Sequence, residues 1–475
     1  MGWETVIGLE VHVQLRTRTK MFCGCSTQFG DPPNTNICPV CLGMPGALPV
    51  PNREAVCLGV RTALALGCRV QNVSAFERKS YFYPDLPKGY QISQFQLPLA
   101  ISGILVIDGE GGQRSIGISR LHLEEDAGKS VHDRIPGKTA VDFNRSGIPL
   151  AEIVSEPDLR TPEEARSYLT SLKQLLQYLD VSDCNMEAGS LRVDANLSVR
   201  EAGGELGTKQ ELKNLNSFSG VVRALTMLGD RQIELLERGQ VVEQQTFTVE
   251  KSGLRIMRAK EVSPDYRYFP DPDLPPLNLE SAGISVEAER ASLPELPWVR
   301  SARIREEYGL SAYAADVLTG SVKLADYFES VPKSSVASKE VANWVMDSVL
   351  ADVKSHEGEF RVSADRLGEL VELVVTGKVS KRAGKEVFAA LAESSEEPVL
   401  VAARLGLLQV SDDAQLAVWV EKTLEAHREH VERYRAGETK LMDFFMGLAL
   451  NESGGRANPK QLRTVLEKRL AVSDS

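Results

Sequence analysis

The residues Ile7-Gly8-Leu9-Glu10-Val11-His12-Val13-Gln14-Leu15 alternate apolar and polar side chains, a pattern that predicts a β-strand. The odd-numbered residues from Leu9 to Leu15 form an apolar face, and Glu10, His12 and Gln14 form a polar one. A carboxylate beside an imidazole suits a divalent cation. The stretch alone also fits a half-buried strand with a solvated polar face, so the decision depends on what other strands bring to that face.

Composition describes an ordinary soluble chain of 475 residues, 42% hydrophobic and 25% charged, with a formal charge of -11. An acidic chain does not attract nucleic acid through its overall field, so such a contact needs a local basic surface. We find no apolar run long enough for a membrane span and no secretory leader. Seven cysteines, an odd number with four in a tight cluster, favour a metal site in a reducing cytoplasm over disulfides.

The four clustered cysteines follow the opening strand as C-x-C, twelve residues, then C-x-x-C. They are Cys23, Cys25, Cys38 and Cys41. Two close pairs of thiolates suit a tetrahedral zinc ion, and four protein ligands close the site, so we interpret it as structural. The alternative is four free thiols.

Two later strands bring further acids toward the polar face. A hairpin over 97–107 and 114–123 leads into three successive acids from Glu124, and alternation places Arg120, His122 and Glu124 on one face. Glu152 is an isolated acid within an apolar strand, and a buried carboxylate needs a partner. A cation shared by Glu10, His12, Glu124 and Glu152 would provide one, although each acid taken singly also fits a solvated position.

The segment 76–91 is dense in aromatic, proline and basic residues, and loops of this kind commonly carry function. Lys79 and Lys88 could neutralise phosphate charge there. An aromatic-packed loop with its lysines in water fits the same pattern.

The rest of the chain predicts three domains. A helix begins after Thr161 with a capping box, polar strands cover 191–200 and 209–217, and the proline-rich segment 265–276 closes the first domain. We predict a first domain over 1–293, a helical domain over 294–405 and a tail over 406–475. The tail carries Arg463, Lys468 and Arg469, which fit either an RNA contact or a solvated helix face.

Several long motifs, in the same order, give the chain a resemblance to a known family. It resembles the GatB subunits of the Glu-tRNA(Gln)/Asp-tRNA(Asn) amidotransferases, which are GatCAB heterotrimers. The motifs are Val6–His12, Tyr81–Asp85, Tyr90–Gln94, His122–Lys129, Glu152–Pro157, Met186–Arg192, Lys213–Phe218, Asp265–Pro272 and Ala457–Pro459.

The resemblance implies an α+β fold, in which a glutamine synthetase-like antiparallel-sheet cradle precedes an all-α helical domain and a YqeY-like helical tail. It implies that ATP phosphorylates the side-chain carboxylate of Glu-tRNA(Gln) or Asp-tRNA(Asn), and that ammonia from a GatA-type amidase subunit then displaces the phosphate. A GatC-type subunit completes the trimer, and the tail is expected to contact tRNA.

The resemblance also implies roles for individual residues. The family's Mg2+ ligands fall on Glu10, His12, Glu124 and Glu152. Lys79 and Glu125 match positions where the ammonia channel opens, and we predict nucleotide contacts from Lys79, Lys88 and Tyr83. The predicted catalytic residues are Glu10, His12, Lys79, Glu124, Glu125 and Glu152.

Two absences in the sequence narrow the function. No GxxxxGK[ST] motif occurs, which excludes a P-loop, and no amidase-type Ser-Ser-Lys signature occurs, so ammonia must come from another subunit. Two other classes remain open: a zinc-stabilised tRNA-binding scaffold without catalysis, and a stand-alone ligase for a free amino acid.

Overall fold

The computed structural model describes residues 2–109, 111–250, 253–259, 265–332, 337–410 and 412–471. The chain divides into two compact units, Met1–Pro297 and Trp298–Ser475. Among the described helices, none combines the length and the apolar content needed to cross a membrane.

The first unit is built on a large mixed sheet. The described strands of this unit are β1 (Trp3–Gln14), β2 (Arg69–Val70), β3 (Val73–Ser74), β4 (Glu77–Ser80), β5 (Tyr90–Ser93), β6 (Ala100–Gly109), β7 (Gly112–Glu125), β8 (Lys129–Ile135), β9 (Lys138–Asp142), β10 (Pro149–Ser155), β11 (Leu191–Glu201), β12 (Gln210–Leu215), β13 (Gln245–Glu250), β14 (Gly253–Ala259), β15 (Phe269–Pro270) and β16 (Leu277–Asn278). Nine of them form the large sheet in the order β14-β13-β12-β11-β1-β10-β7-β6-β2, and the others form small sheets of two or three strands. Neighbouring strands of the large sheet are antiparallel except β12 and β13, which are parallel.

The register of the central strands aligns their polar residues in rows. His12 of β1 lies opposite Glu152 of β10 and Arg192 of β11, and Glu152 lies opposite His122 of β7. Since side chains alternate between faces, all four point to the same side of the sheet. The opposite face of β1 is apolar, and its Leu9, Val11 and Val13 are at most 1% exposed.

The described residues of the first unit form the helices α1 (Arg53–Ala65), α2 (Pro162–Tyr178), α3 (Phe218–Glu237) and α4 (Val286–Ala291). Residues of α1, α2 and α3 join β1 in one hydrophobic cluster, so these helices cover the apolar face. Thr161 caps α2 by accepting the Glu164 N–H at 3.1 Å, and Ser217 caps α3 by accepting the Gly220 N–H at 3.0 Å. The helical cover leaves the other face of the sheet free to form a cleft.

The described residues of the second unit form helices joined by loops, with isolated β-bridges between Val379 and Leu408 and between Val410 and Ala457. Its helices are α5 (Pro297–Tyr308), α6 (Ala312–Leu318), α7 (Val322–Ser330), α8 (Ser338–Trp344), α9 (Leu350–Ser355), α10 (Ala364–Val375), α11 (Lys381–Ala392), α12 (Pro398–Arg404), α13 (Asp413–Ala426), α14 (Arg428–Arg435), α15 (Leu441–Glu452) and α16 (Pro459–Ala471), with a π-helical turn at Val345–Val349 between α8 and α9. One hydrophobic cluster spans Ile304 to Ala402 and another spans Leu416 to Leu470.

The α+β prediction is confirmed, with some differences in detail. Strand β1 begins at Trp3, earlier than the alternation indicated, and the hairpin is tighter than predicted because Gly109 and Gly112 already pair. Of its predicted turn, Glu110 lies outside the described residues. Within the proline-rich segment 265–276, Phe269 and Pro270 pair with β4 as an outer strand, where proline is tolerated.

One glycine of β6 has no room for a side chain. A Cβ on Gly103 would lie 2.3 Å from the Cys68 Sγ and 2.8 Å from the Leu66 carbonyl oxygen. We expect Gly103→Ala to destabilise the first unit by about 1–3 kcal/mol, because this overpacking forces the backbone or Cys68 to move. The measurement is the thermal unfolding transition followed by circular dichroism. Gly111→Ala in the same hairpin is the control, since its Cβ meets no atom within 4 Å; equal transitions for the two variants would contradict the prediction.

Candidate active-site cleft and cysteine cluster

A polar cleft of about 1280 Å³ covers the face of the sheet opposite the helices. Its walls include residues from strands β1, β4, β7, β10, β11 and β12 and from the aromatic segment 265–268. The charged and imidazole side chains that line it include Glu10, His12, Lys79, Arg120, Glu124 and Glu152. The alternation that buries Leu9 and Val11 therefore also presents Glu10 and His12 to the cleft.

Three of the predicted metal ligands meet at the floor of this cleft. The ligand atoms of His12, Glu124 and Glu152 all lie within 4.8 Å of one another. The His12 Nε2 atom is 3.3 Å from Glu152 Oε2 and 3.6 Å from Glu124 Oε1. Ser93 donates a hydrogen bond of 3.0 Å to Glu124 Oε2 and fixes that carboxylate. This group of two carboxylates and one imidazole is compatible with binding a metal ion.

Glu10, the fourth predicted ligand, lines the same cleft but is not part of this close group. Its carboxylate accepts a hydrogen bond of 3.0 Å from the Asn196 amide. Burial raises the pKa of Glu10, and repulsion from Glu152 adds to the effect. Glu10 therefore lies in the row of the sheet next to His12 and Glu152, within the cleft but outside their close group.

A second histidine was not among the predicted ligands. The His122 Nε2 atom lies 3.1 Å from Glu152 Oε2 and 3.7 Å from Glu124 Oε2, and its side chain is 5% exposed. Its Nδ1 atom is buried without a hydrogen-bond partner. The alternation of strand β7 already indicated that His122 shares a face with Glu124. The sequence did not show the strand pairing that brings His122 next to Glu152.

His12, His122, Glu124 and Glu152 strongly influence one another's protonation. Burial raises the pKa of Glu152, but the attraction of His122 and His12 outweighs it and holds that pKa well below its usual value. Burial alone would lower the pKa of His122, yet Glu152 and Glu124 raise it to about 9. The pKa of His12 shifts in the same direction for the same reason. The two carboxylates thus remain ionised, and the two imidazoles beside them favour their protonated forms.

Lys79 and Tyr83, for which nucleotide contacts are predicted, also line the cleft. Burial tends to lower the pKa of Lys79, but Glu124, Tyr268 and Glu152 outweigh it and keep the ammonium charged. The Lys79 Nζ atom lies 4.9 Å from the centroid of the Tyr266 ring. Tyr83 is 56% exposed. The cleft therefore combines an acidic floor with a cationic and aromatic wall.

Lys88 and Glu125, both predicted site residues, lie elsewhere. Glu125 follows Glu124 on β7 and points to the other face, where it is 2% exposed. Its carboxylate forms an ion pair with Lys88 and accepts the Ile92 N–H at 3.1 Å. Neither residue lines the cleft. Within the segment 76–91, Lys79 therefore lines the cleft, whereas Lys88 pairs with Glu125 on the face of β7 that points away from the cleft.

The four cysteines form a separate group with metal-binding geometry. The sulfur atoms of Cys23, Cys25, Cys38 and Cys41 all lie within 4.8 Å of one another. The Cys38 N–H donates to the Cys41 sulfur at 3.1 Å, as in a thiolate knuckle. Hydrogen bonding from Cys23 lowers the pKa of Cys41 to about 4 despite burial, with help from the Cys38 N–H and Lys20. The donor set and the compact arrangement fit a soft tetrahedral ion.

Lys20 lies against this cysteine group and is fully buried. Its ammonium donates to the Asn36 carbonyl oxygen at 2.7 Å and to the Phe143 carbonyl oxygen at 3.2 Å, and it is 3.7 Å from the Cys41 sulfur. Among the described residues, no carboxylate forms an ion pair with it. A buried ammonium needs a compensating charge, and the thiolate of Cys41 is the anion within reach.

Comparison with known proteins matches both units. The family model described as the GatB/GatE catalytic domain matches residues 5–285, and the model described as the GatB domain matches residues 326–470. The chain is 49% identical to the aspartyl/glutamyl-tRNA(Asn/Gln) amidotransferase B subunit of Moorella thermoacetica, over 99% of this chain and 100% of that protein. It is 47% identical to the protein of the same name from Prosthecochloris aestuarii, over 99% of this chain and 98% of that one.

A third relative, from Halorhodospira halophila, carries the same name and is 49% identical over 99% of both chains. Because two family models and full-length relatives agree with the fold and with the motifs, the resemblance inferred from the sequence is confirmed. The chain belongs to the family of aspartyl/glutamyl-tRNA(Asn/Gln) amidotransferase B subunits.

Proposed function

We propose that this chain is the subunit that activates and amidates the side-chain carboxylate of Glu-tRNA(Gln) or Asp-tRNA(Asn) at the expense of ATP. The observation that carries the proposal is the group of His12, Glu124 and Glu152 at the floor of a large polar cleft, in a chain of this family. Burying two carboxylates costs free energy, and a scaffold without catalysis does not require them or the two imidazoles beside them.

The chemistry needs two steps. A carboxylate oxygen attacks the γ-phosphorus of ATP and releases ADP, which yields an acyl phosphate. Ammonia then attacks the carbonyl carbon, phosphate leaves, and the nitrogen loses a proton to give the amide. The first step converts a poor electrophile into one with a good leaving group, and it requires positioning together with neutralisation of phosphate charge.

The residues of the cleft support these requirements. We assign Glu124, Glu152, His12 and Glu10 to Mg2+, which when bound neutralises charge on the phosphate oxygens. Ser93 keeps the Glu124 carboxylate in place through its hydrogen bond. Lys79 contributes a buried positive charge on the facing wall, and Tyr83 supplies an exposed ring for a base or ribose.

Ammonia has to come from elsewhere, so we propose that the chain works with a GatA-type amidase subunit and a GatC-type subunit. The resemblance assigns Lys79 and Glu125 to the point where ammonia enters. In the structure Lys79 lines the cleft, whereas Glu125 points away from it and pairs with Lys88. We assign the Lys88–Glu125 ion pair to the entry point and give Lys88 no contact with the nucleotide phosphates, because it does not line the cleft.

We assign the cysteine group to a structural Zn2+, since four thiolates suit that ion better than they suit Mg2+. We also propose that the domain after residue 405 contacts tRNA. Its basic residues are only partly available, because Arg469 pairs with Glu421 at 2.7 Å and Arg463 pairs with Glu467 at 3.2 Å. Lys468 is exposed and forms no ion pair with a described residue.

The central test is Glu152→Gln in the assembled amidotransferase. The amide keeps the shape of the side chain but removes the charge that would hold the cation, so we expect ATP-dependent phosphorylation of the aminoacyl-tRNA to fall about hundredfold or more. Formation of labelled ADP from ATP measures the rate of this first step. Glu201→Gln, exposed at the end of β11 and outside the cleft, is the matched control. A Glu152→Gln enzyme as fast as this control would refute the proposal.

The zinc assignment is tested by Lys20→Met. Since the ammonium offsets thiolate charge, we expect zinc affinity to fall roughly ten- to hundredfold. The metal-free protein should lose little stability because a buried charge is removed. Competition with a chromophoric chelator and thermal unfolding with and without zinc provide the two readouts. Arg18→Met, two residues away and exposed, is the control. Unchanged zinc affinity, or equal destabilisation with and without zinc, would argue for a purely structural lysine.

The tail assignment is tested by deleting residues 412–475. This removes the cluster from Leu416 to Leu470 and leaves the cluster from Ile304 to Ala402 complete. We expect weaker binding of tRNA in a filter-binding assay and unchanged binding of ATP, because the cleft lies wholly in the first unit. Equal tRNA affinities of the two proteins would exclude the contact.

A further inference from the structure

Arg120 presents a guanidinium that no described residue satisfies. The residue lies on β7, is partly buried and lines the cleft. Its Nε atom is buried without a hydrogen-bond partner, and within the described part of the chain its guanidinium takes part in no hydrogen bond or ion pair. Arg114, six residues earlier on the same strand, behaves as a structural arginine does: it pairs with Glu164 and donates to the Asp158 carbonyl oxygen at 2.9 Å.

The register places Arg120 next to the acidic floor of the cleft. Arg120 is opposite Val154 of β10, and Val154 is opposite Glu10 of β1, so Arg120 and Glu10 belong to one row of the sheet. The adjacent row contains His122 and Glu152. Alternation turns Arg120 to the same face as His122. The guanidinium of Arg120 therefore lies in the row next to His122 and Glu152, close to the residues that we assign to Mg2+.

The other cations of the cleft already have partners or lie in water. Arg192 pairs with Asp126 at 2.9 Å, and Lys213 pairs with Glu211 at 3.0 Å. Lys79 is held in the field of Glu124 and Glu152, and Lys209 is exposed. Among the described residues that line the cleft, Arg120 is therefore the partly buried cation whose charge is left for a ligand.

An unpaired buried donor is costly, and folded proteins rarely keep one without a reason. Water in the cleft can reach the outer nitrogens, but it does not reach the buried Nε. A guanidinium fork matches two oxygens of a carboxylate or a phosphate, and such paired hydrogen bonds are among the stronger ones in proteins. A ligand oxyanion would pair with the outer nitrogens of Arg120, which the cleft can reach and which no described residue satisfies.

We propose that Arg120 binds an oxyanion of the substrates in the cleft. This inference deepens the proposed function and rests on it. Two sources offer the same chemistry: the phosphate groups of ATP, and the side-chain carboxylate that is to be phosphorylated. In either case Arg120 holds the bound oxyanion beside the residues that we assign to Mg2+. The carboxylate oxygen and the γ-phosphorus can then approach each other.

The experiment compares Arg120→Met and Arg120→Lys with the unmodified chain in the assembled amidotransferase. For Arg120→Met we expect an unfolding temperature equal to or above that of the unmodified enzyme, together with a loss of about ten- to hundredfold in kcat/KM. Arg120→Lys keeps the charge without the fork, so it should recover part of that loss. Arg114→Met is the control for a structural arginine: it should lower the unfolding temperature and leave kcat/KM unchanged.

Two binding measurements identify the source of the oxyanion. Weaker binding of ATP with Mg2+ to Arg120→Met, measured by calorimetry, would assign the guanidinium to the nucleotide phosphates. Unchanged ATP affinity with a raised KM for the aminoacyl-tRNA would assign it to the carboxylate. Unchanged kcat/KM, or a lowered unfolding temperature with both affinities intact, would overturn the proposal.

Glu152→Gln measured in parallel separates the two hypotheses. If Glu152→Gln is inactive and Arg120→Met is fully active, the Arg120 inference fails and the proposed function stands. If Glu152→Gln is itself fully active, the assignment of the cleft fails, and the Arg120 inference fails with it.

Discussion

The alternation of one central strand constrains the whole first unit. Strand β1 lies in the interior of the sheet, with β10 on one side and β11 on the other, and its odd residues are buried under three helices. Because side chains alternate with a period of two, burying Val11 and Val13 forces Glu10 and His12 onto the other face. A slip of one residue would reverse both faces at once, so the hydrophobic core and the position of the site are fixed by the same pairing.

That pairing also explains why so much charge can be kept on one face. Pairing between neighbouring strands places acids beside bases: Glu152 is between His12 and His122 in one row, and Arg192 pairs with Asp126. Each buried carboxylate is held ionised by the imidazoles next to it, and each imidazole is raised in pKa by the carboxylates. The arrangement tolerates burial only because the opposite charges meet, and it leaves Arg120 as the group whose compensation must come from a ligand.

The sequence predicted the faces of strands better than their neighbours. Alternation located the polar side of β1, β7 and β11, and capping residues located the starts of α2 and α3, because these signals are local. It did not reveal that His122 would be opposite Glu152, or that β12 and β13 would be parallel, because register and strand order depend on contacts between distant segments. Lys88 was placed with Lys79 for the same reason: the sequence shows that a loop is basic, but not which lysine turns behind the sheet to meet Glu125.

The two candidate metal sites were separated by the chemistry of their ligands, yet the structure joins them through one loop. Lys20 connects the cysteine group to the Phe143 carbonyl oxygen, and the Met21 N–H donates to the Gly147 carbonyl oxygen at 2.8 Å. The Gly147 N–H in turn donates to the Asp126 carbonyl oxygen at 2.8 Å, and the Asp126 carboxylate holds Arg192 in the cleft. Strand β10, which carries Glu152, begins two residues after Gly147. Because these hydrogen bonds tie the cysteine group to the loop before β10, an ion held by the proposed thiolate site would limit the freedom of the strand that positions Glu152 without itself taking part in chemistry.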